Sequence, residues 1–60
     1  MTVYVNERKV DLPGGMSVRH ALIGAGLLAE VEKGKGVFDQ WGNRIGLDGA
    51  LTDGDQIFIR

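Results

Sequence analysis

Apolar and polar residues alternate at both ends of the chain. Thr2-Val3-Tyr4-Val5-Asn6 sets Val3 and Val5 on one face and Tyr4 on the other, the period of a strand. Lys9-Val10-Asp11-Leu12 alternates again, so the first twelve residues predict a β-hairpin. Its turn lacks an Asn-Gly pair, which predicts a loop longer than two residues. Pro13-Gly14-Gly15 ends the second strand. After Ser17, a helix N-cap by type and place, the period changes. Val18, Ala21, Leu22, Ala25 and Leu28 form one helical stripe, with Arg19 and His20 outside it. Gly24 and Gly26 weaken the run, which predicts one helix ending near Leu28; good helix formers continue to Gly34 as the alternative.

Lys33-Gly34-Lys35-Gly36 predicts a flexible connection, and Val37–Trp41 a third strand. Gly42-Asn43 suits a two-residue reverse turn into a short strand over Arg44–Leu47. Asp48-Gly49 and Asp53-Gly54-Asp55 suit turns, and Gln56–Arg60 alternates as a terminal strand. One helix covering one face of a mixed sheet of four or five strands gives an α+β domain over residues 1–60.

Composition narrows the function classes. Ten glycines in 60 residues fit a chain rich in tight turns. Sixty residues suffice for one domain with a small core, too little for a multi-domain enzyme or a deep cleft. No cysteine is present, which removes disulfides, thiolate zinc sites and iron–sulfur clusters. The net charge is −1 with Lys and Arg scattered along the chain, so no nucleic-acid partner is expected. The longest apolar run, 21–29, is too short for a bilayer, and the N-terminal residues lack a signal-peptide core. A cytoplasmic location with no membrane partner is the expectation.

Two stretches resemble a known family. Leu12-Pro13-Gly14-Gly15-Met16-Ser17-Val18, running into an apolar helix, resembles the strand–turn–helix of TGS domains and of the ThiS/MoaD sulfur carriers. Gly42-Asn43-Arg44-Ile45-Gly46-Leu47, followed by Leu51-Thr52-Asp53-Gly54-Asp55 and an alternating strand, resembles their shared ending. The resemblance implies a ubiquitin-like β-grasp, with the first and last strands adjacent at the centre of the sheet. Sulfur carriers of this type end in Gly-Gly, whose carboxylate a partner enzyme adenylates. This sequence ends at Arg60 on the strand itself. The resemblance therefore implies a non-catalytic module, with two alternatives. One is a sulfur carrier whose Gly-Gly lies beyond Arg60. The other is a TGS-like regulatory domain that binds a ligand.

Candidate chemistry is sparse. Ser17 and His20, three apart, would make a nucleophile–base pair only with an orienting group and a pocket; a capping serine beside a surface histidine is the plainer reading. Asp48, Asp53 and Asp55 lack the EF-hand spacing and suit turns better than a cation. Gly14-Gly15 precedes a helix without the Gly-Lys-Ser/Thr of a phosphate loop. No catalytic residue, cofactor or metal is expected. If Val3, Val5, Ile57 and Ile59 face the helix, Tyr4 and Phe58 point to the uncovered face, joined by Phe38 if Val37 faces inward. Phe58 and Tyr4, then Phe38 and Arg60, are the expected contacts to a protein partner, an adenylating enzyme or another cytoplasmic enzyme, with the chain itself a monomer or weak homo-oligomer.

Overall fold

The computed structural model describes all 60 residues. Strands β1 (Thr2–Val5) and β2 (Arg8–Asp11) form the hairpin, followed by helices α1 (Val18–Ala25) and α2 (Leu28–Glu32). Strands β3 (Val37–Asp39) and β4 (Gln56–Ile59) complete a mixed sheet in the order β2-β1-β4-β3. The central pair, β1 and β4, is parallel; both outer pairs are antiparallel. The protein is therefore α+β, with four strands and two helices.

Period-two alternation delivers the core. Val3, Val5, Val10, Val37, Ile57 and Ile59 turn one face of the sheet toward α1, which buries Val18, Ala21 and Leu22 against them. Leu22, Val3 and Val5 are fully buried, as expected of the largest side chains at the meeting of two layers.

Several local expectations are corrected. The hairpin loop has two residues: Val5 pairs with Arg8 across Asn6-Glu7. Both turn residues have positive φ, 49° and 69°, the pattern of a type I′ turn without glycine. Asn tolerates that region, and its side chain gains a second role. Beyond the end of β1, the Asn6 N–H donates to the Ile57 carbonyl, and the Asn6 Oδ1 accepts from the Ile59 N–H at 2.9 Å. The turn thus extends the central pair by one residue.

The expected single helix is two. Gly26, at φ 73°, caps α1 in the left-handed region, and the chain restarts as α2 after Leu27. Gly24 sits where α1 crosses β2: a Cβ there would lie 3.0 Å from the Val10 Cγ1. That glycine sets how closely the helix lies on the sheet.

Strand β3 stops at Asp39 rather than Trp41, because the Asp39 carboxylate accepts from the Trp41 and Asn43 N–H groups at 2.9 Å each. The turn closes from Asp39 to Asn43, with Gly42 at φ 83°, and is longer than the expected Gly-Asn turn. The expected strand over Arg44–Leu47 reduces to a bridge between Phe38 and Arg44 and a bond from the Ile45 N–H to Val37. Its continuation is drawn away by α1. The Val18 and Arg19 N–H groups donate to the carbonyls of Gly49 and Leu47, satisfying the first turn of the helix.

Candidate functional site

Sheet register places the four expected contact residues on the face that the helices leave uncovered. Phe38 stands directly opposite Phe58, so their side chains share a face. Tyr4 is opposite Gln56 on the neighbouring central strand, diagonal to Phe58. All three aromatic residues are half-buried, which fits rings lying along the sheet surface rather than standing off it. Arg60 is exposed and continues β4: its N–H and carbonyl both pair with Gly36. Its guanidinium carbon lies 5.5 Å from the centre of the Phe58 ring, a cation–π contact.

Gly36 makes the strip possible. It is buried, and an added Cβ would meet the edge of the Phe38 ring at 2.7 and 2.9 Å. The ring lies over the bare backbone of Gly36. Expected to lie in a flexible connection, Gly36 is instead paired to Arg60 and floors an aromatic ring.

Two cations belong to the same face and were not singled out from the sequence. Arg44 is bridged to Phe38, and its guanidinium carbon lies 3.8 Å from where a Cβ added at Gly36 would stand. Lys9 is opposite Tyr4 on β2. Both are exposed. Lys9 was legible through the hairpin register, had the turn been taken as two residues. Arg44 carried no signal, since its neighbours form only a bridge.

The other candidates resolve into local structure. The Ser17 hydroxyl lies 3.0 Å from the His20 Nδ1, and that nitrogen also accepts from the Ser17 N–H at 3.2 Å. The pair closes the N-terminus of α1. Asp48 pairs with Arg19 at 3.3 Å, Asp53 accepts from the Thr2 N–H, and Asp55 accepts from the Thr52 N–H and hydroxyl. No three potential metal ligands come together. Trp41 is 77% exposed. It borders a hollow of about 230 Å³ on the helix side, together with Val18, Ile45, Leu51 and Ile57. No helix is long and apolar enough to cross a membrane.

Comparisons with protein-family models, with curated proteins and with solved structures return no match for this chain.

Proposed function

We propose that the chain is a small β-grasp module of the ThiS/MoaD and TGS type, whose work is to recognise a protein partner through its open sheet face. Support for the fold reading comes from the order β2-β1-β4-β3 with a parallel central pair, and from α1 packed across one side. Support for the function comes from one observation. Tyr4, Phe38 and Phe58 are half-buried on the same uncovered face, Phe38 opposite Phe58 and Tyr4 diagonal to it, with Arg60 over the Phe58 ring. Apolar rings with a polar rim are what protein interfaces cover, and aromatic and arginine side chains carry a disproportionate share of interface energy.

Capture from the cell of origin tests this reading, comparing the wild type with Phe58→Ala and with Tyr4→Thr, which keeps a good strand former at a central position. Both variants are first checked for native backbone chemical shifts. The expected result is a partner retained by the wild type and weakened in both variants. A partner retained equally by all three removes the face from the reading.

A further inference from the structure

The open face carries charge of one sign near the aromatic pair. Arg60 lies over Phe58, Arg44 is bridged to Phe38, and Lys9 flanks Tyr4 on the other edge. None of the three has a carboxylate partner: the two ion pairs of the structure are Arg19–Asp48 and Lys35–Glu30. This occurs in a chain of net charge −1, so the cations on this face are a local excess. Of the strand carboxylates, Asp39 is held in its own turn by the Trp41 and Asn43 N–H groups, and Asp11 lies at the opposite end of the sheet. There Asp11 accepts from the Thr2 hydroxyl and Asp53 from the Thr2 N–H. The face is apolar in the middle and positive where β4 ends and β3 begins.

We propose that the occupant of this face is a protein segment carrying apolar side chains flanked by Asp or Glu. Its apolar groups cover Phe38, Phe58 and Tyr4, and its carboxylates meet Arg60 and Arg44. The inference rests on the protein-binding reading above and adds the chemistry of the partner. Charge complementarity selects it: unpaired guanidinium groups beside an apolar strip match carboxylates beside apolar residues. The planar fork of arginine also suits a carboxylate in two-point contact. A nucleic-acid strand fits less well. A phosphate backbone needs a longer cationic track than three side chains on a net acidic chain.

Titration of the isotope-labelled chain, followed by amide chemical shifts, tests it. Three probes are used at up to millimolar concentration. They are a Glu-Glu-Leu-Phe-Glu-Glu peptide with blocked ends, the same peptide with glutamine for each glutamate, and an eight-nucleotide oligothymidylate. Expected are shifts along β1, β3 and β4 with the acidic peptide, weakened by added salt, and affinity about tenfold lower for the glutamine peptide, the scale of two exposed ion pairs. The exposed double variant Arg44→Gln/Arg60→Gln loses affinity for the acidic peptide to a similar extent, while Lys33→Gln, on the helix side, does not. Equal binding of the acidic and glutamine peptides overturns the acidic preference and leaves the protein-binding face standing. Tighter binding of the oligonucleotide at Tyr4 and Phe58 overturns the inference in favour of a nucleic-acid strand. The absence of shifts with every probe overturns the inference, while the capture comparison independently decides the underlying reading.

Discussion

Gly24 offers a quantitative test of how the helix lies on the sheet. Replacing it with alanine adds one methyl group to the interior of α1. By helix propensity alone, the change should stabilise by about 0.8–1 kcal/mol. The added Cβ meets the Val10 Cγ1 at 3.0 Å and the Leu12 Cδ2 at 4.0 Å. Carbon atoms prefer about 3.5–4.0 Å, so the first contact must open by roughly half an ångström. Val10 has little freedom to give way. It is β-branched, 8% exposed, and paired with Val3 in the hairpin. Overfilling a packed site costs about 1–3 kcal/mol. Overpacking outweighs propensity, and Gly24→Ala should destabilise the protein by about 1 kcal/mol. For a domain of this size that lowers Tm by roughly 4–8 °C. The argument is sharpened by removing the obstacle. Val10→Ala alone costs about 2 kcal/mol for its lost methyl groups and the space left behind. In that background, Gly24→Ala should stabilise by close to its full helical value. The coupling between the two sites is then about 2 kcal/mol, read from urea denaturation of the four proteins of the cycle followed by circular dichroism. Additive effects, or a wild-type background stabilised by Gly24→Ala, would refute the claim that this glycine sets the distance between helix and sheet.

Two further variants probe the turn and the aromatic strip. Asn6→Gly keeps the left-handed turn but leaves the half-buried Ile59 N–H without its acceptor, and should cost about 1–2 kcal/mol by denaturation, with faster hydrogen exchange at Ile59. Gly36→Ala meets no backbone barrier, yet its Cβ forces the Phe38 ring off the sheet; a loss of about 0.5–1.5 kcal/mol is expected, together with the disappearance of nuclear Overhauser contacts between the ring and residue 36.

The legible parts of the fold were those written in a single period. Val3, Val5, Ile57 and Ile59 alternate, and Val18, Ala21 and Leu22 repeat helically, so their burial followed from spacing. The same alternation places Tyr4 and Phe58 on the other face, and Phe38 joins them because Val37 is buried. What escaped depended on partners distant in sequence. A type I′ turn without glycine is unusual, and it stands here on an asparagine whose side chain bonds a strand fifty-three residues away. The segment after Arg44 has strand-like residues, but the first-turn amides of α1 take its Leu47 and Gly49 carbonyls. Asp39 shortens β3 by accepting from two amides of its own turn, a choice that the apolar pattern of Val37–Trp41 does not express. The cations of the open face are scattered in sequence, and register rather than spacing assembles them.

The parallel pairing of β1 with β4 has a kinetic side. The hairpin and α1 make contacts between residues close in the chain, but the centre of the sheet joins residues 4–5 to residues 56–57. Closing so long a loop is slow relative to forming a turn, and an isolated hairpin is marginal in water. Formation of the central seam should therefore govern the folding rate, through the high sequence separation of its contacts. Tyr4 and Phe58 lie on either side of that seam, so a molecule that spans them binds the closed sheet and not the open chain. At one hundred times its Kd such a partner would add about 2.7 kcal/mol to stability. The same contact that recognises the protein would hold shut its last-formed joint.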